Sequence, residues 1–387
     1  MKTINIGLIG TGFMGKGHSV AFKKVPLIFN PPPAIPNLAI VADISEELAR
    51  QAAENFGFEE WVVGWQDLVA TESIDVVDIT TPNHLHKEIA LAAAKAGKHI
   101  YCEKPLAVTA ADAKEMVEAA AKAGVKTMVG FNYLKNPATL LAKQMIDSGE
   151  LGEIYHFRGS FHEDVLADPN QPFSWRFDRN MAGSGALGDL GAHVIEIARA
   201  LVGEFGRVSA LTKTFIMERP VASGSYGYDS QAVADGPKRA VENEDVVHFL
   251  VEFENGATGV IESSRIAAGR KVFLAYELNG SEGSLYFVHE RLNELKVYFS
   301  TDPAGRHGFR TIYAGPEHPY YKSFWPVAGM GLGFEDAKVI EVYELLLGLA
   351  EDRPIYPDFY AGWKVCQIID AVLRSAAERQ WVDVSEV

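Results

Sequence analysis

Residues 183–198 of this 387-residue chain read Gly-Ser-Gly-Ala-Leu-Gly-Asp-Leu-Gly-Ala-His-Val-Ile-Glu-Ile-Ala, which sets a carboxylate and an imidazole four positions apart. On a regular helix Asp189 and His193 stand one turn above each other on one face. Such a pair orients the ring, fixes its tautomer and readies it to take a proton near neutral pH. The same spacing also suits a plain amphipathic helix, with Asp189 capping its first turn and His193 buried, so the choice depends on the rest of the chain.

The start of the chain supplies a second chemical signal. Residues 4–9 are a short apolar run, and Gly10-Thr11-Gly12-Phe13-Met14-Gly15 follows at once, ahead of a helical stretch reaching about Lys24. G-x-G-x-x-G between a strand and a helix is a dinucleotide cradle. Gly10 permits the tight turn, Gly12 lets backbone approach a pyrophosphate, Gly15 allows close packing, and the helix N-terminus attracts the anion. The next strand, 38–43, ends in Asp43, where the adenosine ribose hydroxyls would be held. A carboxylate there repels a 2′-phosphate, and no basic residue follows closely, since Arg50 already lies inside a helix. The expected cofactor is NAD rather than NADP. A proline-rich insertion at 26–36 reads as a surface excursion, because its prolines suit neither a helix nor a central strand.

Elements must then position these groups. Helices over 46–56, 85–96 and 110–123 alternate with strands near 61–63 and over 75–80, 98–102 and 126–131, the pattern of a doubly wound parallel sheet. Ligands bind such sheets at the carboxyl ends of the strands. That singles out Thr81, Asn83 and His86, then Glu103 and Lys104, then Asn132 and Tyr133. After a connecting helix to Ser148, alternating apolar runs at 153–161, 208–215, 245–254, 257–264, 271–279, 284–288 and 295–299 imply a mostly antiparallel sheet. The helix at 183–198 should pack across one face of it. Helices at 335–350 and 358–379 close the chain, and long irregular stretches lie at 218–242 and 301–334. The fold class is α/β: a first domain at 1–135 and an α+β domain with an open sheet at 136–387.

Composition narrows the partners. With 36 basic and 51 acidic residues the net charge is −15, which disfavours nucleic acid and anionic membrane as partners. The only two cysteines, Cys102 and Cys366, sit in apolar runs and imply neither a disulfide framework nor a thiolate metal site. No leader pattern and no apolar run of spanning length is present, so a cytoplasmic enzyme is expected.

Four motifs in order carry a family resemblance. Gly10-Thr11-Gly12-Phe13-Met14-Gly15, Thr81-Pro82-Asn83 with His86, Glu103-Lys104-Pro105, and Asp189 with His193 resemble the glucose-fructose oxidoreductase, inositol dehydrogenase and rhizopine catabolism (Gfo/Idh/MocA) family. The resemblance spans essentially the whole chain. It implies a Rossmann domain followed by an open-faced α/β domain, a nicotinamide cofactor, and oxidation or reduction at a carbinol carbon of a sugar or cyclitol. It matches Lys104, Asp189 and His193 to the family's catalytic residues. Trp175-Arg176-Phe177 and Trp325-Pro326-Val327 before Gly333-Phe334-Glu335-Asp336 look like members acting on inositols, inosamines and anhydrosugars such as levoglucosan. Where many members carry a second Asp after the histidine, this chain has Glu196.

Oxidising a secondary alcohol requires a base for the hydroxyl proton, and His193 suits that role, with Asp189 orienting it. Lys104 supplies positive charge to the developing alkoxide, or acts as base itself with a lowered pKa. Glu103 would hold that lysine or the nicotinamide ribose. The cofactor set is therefore Gly10, Gly12, Phe13, Met14, Gly15, Asp43, Thr81, Asn83, His86, Glu103 and Lys104. A polyol needs several hydrogen bonds and an apolar surface, for which Asn132, Tyr133, Trp175 and Arg176 are candidates beside Lys104, Asp189 and His193. His318 and Trp325 are further ones. No metal is expected, since the histidines and acids show no ligand spacing. The rival readings are an NADP-dependent keto-sugar reductase and a non-catalytic cofactor sensor. Apolar alternation on the open sheet, as in 246–253, suggests a homo-oligomer, dimer or tetramer.

Overall fold

The computed structural model describes residues 1–223, 231–232 and 236–387, in two compact units. The first unit begins with β1 (Thr3–Ile9), α1 (Phe13–Ile28), β2 (Ile35–Asp43), α2 (Glu46–Phe56), β3 (Glu60–Val63) and α3 (Trp65–Ala70). Then come β4 (Val76–Ile79), α4 (His86–Lys95), β5 (His99–Cys102), α5 (Ala110–Ala123) and β6 (Thr127–Val129). All six strands are parallel, in the order β3-β2-β1-β4-β5-β6. The order reverses between β1 and β4, which is where such sheets open a ligand crevice. The strands are apolar on both faces because helices cover both; Ile6, Leu8, Val41, Val76, Val77 and Ile100 are all buried.

Only residues 29–34 of the proline-rich segment form the loop expected, and its two ends belong to regular elements. Pro26 sits inside the last turn of α1, and Pro36 lies within β2, opposite Ile4. Both are tolerated for a local reason. Pro26 forfeits one helical bond close to the helix end, and at Pro36 strand β2 pairs only with β1, since its pairing with β3 starts at Ile40.

The second unit contains α6 (Pro137–Asp147), β7 (Ile154–His162), the single turn α7 (Arg179–Ala182), α8 (Ala192–Leu201) and β8 (Phe205–Lys213). The stretch expected to be irregular at 218–242 holds short strands: β9 (Glu218–Pro220), β10 (Ala222–Ser223), β11 (Gln231–Ala232) and β12 (Lys238–Ala240). Residues 224–230 and 233–235 of it lie outside the described residues. The main sheet continues with β13 (Val246–Phe253), β14 (Thr258–Ser264), β15 (Phe273–Gly280), β16 (Gly283–Val288), β17 (Glu294–Phe299) and β18 (Arg310–Tyr313), followed by the short α9 (Tyr321–Phe324). Nine strands, the last from the C-terminus, run β18-β17-β16-β15-β7-β14-β13-β8-β19. Only β7 and β14 are parallel neighbours. One face is covered by α8, whose His193 ring lies 5.9 Å from that of Phe161 on β7. The other face is mixed rather than apolar: β13 turns His248, Leu250 and Glu252 outward, and β8 adds Arg207 and Leu211.

The final helices are α10 (Phe334–Ala350) and α11 (Phe359–Glu378), before β19 (Val382–Asp383). The expected domain at 136–387 is therefore interrupted, because Gly333–Cys366 belongs to the first unit and Gln367–Val387 to the second. The reason is packing. α10 lies against α1, where Tyr343 stacks on Phe29 at 3.9 Å, and its buried face reaches β5 through Lys338 and Glu341.

Candidate active site

In the first unit the glycine turn has the geometry of a phosphate cradle. Gly10 has φ +96°, and a Cβ there would lie 2.8 Å from the Thr80 carbonyl oxygen. At Gly15 a Cβ would come within 2.2 Å of the Gly10 oxygen, while at Gly12 it would meet only open space. Thr80 Oγ1 donates to the Gly10 oxygen at 2.7 Å and locks the turn to β4. Gly12 caps α1 with no side chain, and no acid lies in the first turn, so its first N–H groups and positive dipole end are left for an anion. Phe13 is exposed and Met14 half-buried beside that opening.

Asp43, at the end of β2, accepts from the Thr11 amide at 2.8 Å and its hydroxyl at 2.5 Å, and from the Ile44 amide at 2.7 Å. A carboxylate oxygen can accept two bonds and, among the described residues, Oδ1 accepts only the one from Ile44, so capacity remains for ribose hydroxyls. Arg50 pairs with Glu54 on the exposed face of α2. At the neighbouring strand ends, Thr81 Oγ1 and Asn132 Nδ2 are buried with no hydrogen-bond partner among the described residues. Uncapped amides, a Cβ-free opening, a ribose-side carboxylate and two orphaned polar atoms fit a nicotinamide dinucleotide laid over the strand ends.

The other residues of this unit are placed as follows. Asn83 is buried in a 3₁₀ turn, Asn83–Leu85. His86 is fully buried with Nε2 2.9 Å from the Thr81 oxygen and Nδ1 3.1 Å from that of Pro105. It therefore braces two strand-end loops rather than standing open to solvent, and burial lowers its pKa against the pull of those carbonyls. Glu103 is buried and Lys104 half-buried at the end of β5. Burial pushes the Glu103 carboxyl up, but the Lys338 ammonium and His18 outweigh it and hold it well below the usual range. Asn132 and Tyr133 occupy a buried 3₁₀ turn after β6, with Tyr133 edge-on to Phe334 at 5.7 Å.

In the second unit Asp189 and His193 do not share a regular helix. Leu187–Gly191 is a π-helical turn, and α8 begins only at Ala192. The wider turn displaces Asp189 from the simple i, i+4 stack. Arg176 Nε lies 3.9 Å from Asp189 Oδ2, and its guanidinium sits 4.5 Å from the centre of the Trp175 ring. His193 is buried to 6% exposure, while the Asp189 side chain is 31% exposed. Glu196 is fully buried and binds Arg199 at 2.6 Å, a structural pairing. In the late loop the Trp325 ring nitrogen donates to the Gly331 oxygen, and His318 Nδ1 accepts from the Gly315 amide.

The structure adds residues that sequence reading missed. Glu244 Oε1 accepts from the amides of Gly185 and Leu187 at 2.7 and 3.0 Å, and its carbonyl accepts from Ala186 at 3.0 Å. A Cβ on Gly185 would sit 1.9 Å from that carbonyl. Asn243 Nδ2 donates to the carbonyls of Arg176 and Ser184, and Arg265 bridges Asn243 and Asp245. The segment 243–245 thus clamps both the Arg176 turn and the start of the π turn. Its only signal in the sequence was a cluster of polar residues running into a strand. In the first unit the missed residues are His18, Asp78, Lys338 and Glu341. Their signal was a histidine three positions after Gly15 and two charges, three apart, among the apolar residues in the middle of a helix. Among the described residues no group of His, Cys, Asp and Glu is arranged to hold a metal ion, and no helix is long and apolar enough to cross a membrane.

A family model described as an oxidoreductase family with an NAD-binding Rossmann fold matches residues 4–131, and a GFO/IDH/MocA C-terminal domain model matches residues 139–286. The chain is 47% identical over 390 residues, 100% of both chains, to levoglucosan dehydrogenase of Pseudarthrobacter phenanthrenivorans. It is 28% identical to myo-inositol 2-dehydrogenase of Thermotoga maritima, over 80% of this chain and 82% of that one. Among solved structures, levoglucosan dehydrogenase in complex with NADH and L-sorbose superposes with a TM-score of 0.95 at 47% identity, covering 99% of each chain. The complex with NADH and levoglucosan gives a TM-score of 0.93 at 46% identity, covering 99% of this chain and 100% of that one.

Proposed function

This chain belongs to the Gfo/Idh/MocA family of NAD-binding oxidoreductases, and on that premise we propose that it oxidises a secondary hydroxyl of an anhydrosugar of the levoglucosan kind with NAD. The wider activity, NAD-dependent dehydrogenation of a sugar or cyclitol, follows from the family and its relatives. The observation that carries the narrower reading is full-length identity of 47% to levoglucosan dehydrogenase, joined to a turn at Gly12 that is uncapped and open.

A bound nicotinamide would supply the acceptor for the hydride lost by the carbinol carbon. The chain's own groups do the rest. The amides at the start of α1 hold the pyrophosphate, and Asp43 holds the ribose and disfavours a 2′-phosphate. His193 takes the hydroxyl proton, and Asp189 and Arg176 set the charge beside it. Lys104 offers positive charge to the alkoxide as it forms. Trp175, Asn132 and Tyr133 supply ring contact and hydrogen bonds to the sugar. The protein works in the cytoplasm as a homo-oligomer, a second copy covering Leu211 and Leu250 on the outer face of the sheet; light scattering showing a monomer at micromolar concentration would contradict this.

The test is nicotinamide reduction by purified protein against levoglucosan, inositol isomers, inosamines and common aldoses, with NAD and NADP in parallel. Multiple turnovers with levoglucosan and NAD are expected. Turnover on inositols alone would replace the anhydrosugar reading, a preference for NADP would remove the role of Asp43, and binding of NADH without turnover on any ring would leave the sensor.

A further inference from the structure

Behind Lys104, inside the first unit, lies a set of charges that the reaction as described does not use. His18 from α1, Asp78 from β4, Tyr101 and Glu103 from β5 and its end, and Lys338 and Glu341 from α10 are each at most 5% exposed. Burying charge is costly unless every charge is paired and hydrogen-bonded, so such a cluster persists only if its geometry is complete. Here it is. Lys338 donates to Glu103 at 3.0 Å, to Glu341 at 2.6 Å and to the Tyr101 hydroxyl at 3.1 Å, and Tyr101 in turn donates to Glu341.

His18 stands at the centre. Its Nε2 lies 2.8 Å from Glu103 Oε1, and its Nδ1 faces both oxygens of Asp78 at 2.9 and 3.0 Å. The ring is stacked on Tyr101 at 4.5 Å, so it cannot turn without breaking all of these contacts. Glu103 is ionised, and an ionised carboxylate only accepts, so Nε2 carries a proton. Nδ1 faces Asp78, whose carboxyl is pushed up by burial against the pull of the ring. The far oxygen of Glu103, Oε2, accepts from the backbone amide of Lys104 at 3.1 Å. Gly130 leaves open the space this carboxylate occupies, since a Cβ there would lie 2.6 Å from Oε1.

We propose that His18 is a positioning residue of the reaction: its Nε2–H fixes the Glu103 carboxylate, and through it the backbone from which the Lys104 side chain departs. Asp78 orients the ring, and Lys338 shares the carboxylate but divides its charge with Glu341. The inference rests on the reading of Lys104 as a residue of the reaction.

The experiment compares turnover and NADH affinity, the latter by fluorescence titration, in His18→Asn, His18→Gln, Glu103→Gln, the His18→Asn/Glu103→Gln double variant and Lys104→Met. Gln at position 18 returns an N–H near the place of Nε2, whereas Asn can serve only the Asp78 side. His18→Asn should lower kcat by roughly 10- to 100-fold, the scale of a displacement of about 1 Å at a reacting group, with NADH affinity nearly unchanged. His18→Gln should recover most of that loss, and the double variant should be no slower than Glu103→Gln alone, because the two residues act in series. Wild-type kcat in folded His18→Asn, equal losses in both His18 variants, or losses that multiply in the double variant would each overturn the proposal. Should His18→Asn not fold, nitrogen-15 NMR of histidine-labelled wild-type protein decides. His18 should keep its Nε2 proton between about pH 6 and 9, and its loss there would equally overturn the proposal. Lys104→Met separates the two levels of argument. Full turnover in that variant removes Lys104 from the reaction, whereas an inactive Lys104→Met beside a fully active His18→Asn removes only His18.

Discussion

Glu103 and Glu244 are buried glutamates in the two units, each next to a candidate catalytic segment, and their surroundings drive them in opposite directions. Glu103 meets full charges, the Lys338 ammonium and the His18 ring, and is held well below the usual carboxylate range. Glu244 meets backbone amides. Burial raises its pKa, the amides of Leu187 and Gly185 and the Arg265 charge only partly offset that, and its second oxygen has no hydrogen-bond partner among the described residues. Lys104 is thus held through an ion network, and the π turn carrying Asp189 mainly through backbone amides that Glu244 accepts. The difference follows from what each place must immobilise. A strand end feeding a lysine has one amide to hold, whereas the start of a helical segment presents several amides that need acceptors.

If that contrast is right, the largest stability effect should come from the ion network. Lys338→Met strands Glu103 and Glu341 without their shared cation and should cost about 3–5 kcal/mol at neutral pH, measured by urea unfolding. A loss no greater than that of a surface lysine would show that the network is not paired as described. The clamp should be gentler. Glu244→Ala leaves the amides of Gly185 and Leu187 without acceptors and should cost about 1–3 kcal/mol, while Glu244→Gln, which keeps an oxygen there, should recover most of it. Equal losses in both would mean that the charge of Glu244, rather than its acceptor, holds the turn.

The smallest and sharpest effect is the sign of the pH dependence. The Glu103 pKa is depressed in the folded state. Its contribution is complete above the unfolded value near 4.5 and is lost as pH falls through the lower folded value. The Glu244 pKa is raised. Its contribution is complete below about 4.5 and is lost as pH climbs through the folded value. Urea midpoints of the wild type, Glu103→Gln and Glu244→Gln should therefore diverge in opposite senses. The gap to Glu103→Gln shrinks below about pH 4.5, and the gap to Glu244→Gln shrinks above it. Parallel curves would erase the distinction between the two sites.

Local sequence was enough for whatever depends on neighbours in the chain. The Gly10–Gly15 turn, Asp43 at a strand end and the alternation of strand and helix were legible, because strand and helix periodicity and glycine sterics act over a few residues. So was the antiparallel character of the later sheet. Three things were decided only by tertiary structure. Pro26 joined a helix because it falls in the last turn, and Pro36 joined a strand because only one neighbour pairs with it there. Asp189 left the regular helix for a π turn because Asn243 and Glu244, more than fifty positions away, seize the amides and carbonyls of 184–187. Glu103 gained its partners from α1 and α10, since nothing in the local sequence around Lys338 and Glu341 shows that β5 is set against them. A buried charge is stable only beside its counter-charge, and the chain brings His18, Glu103 and Lys338 together from positions far apart.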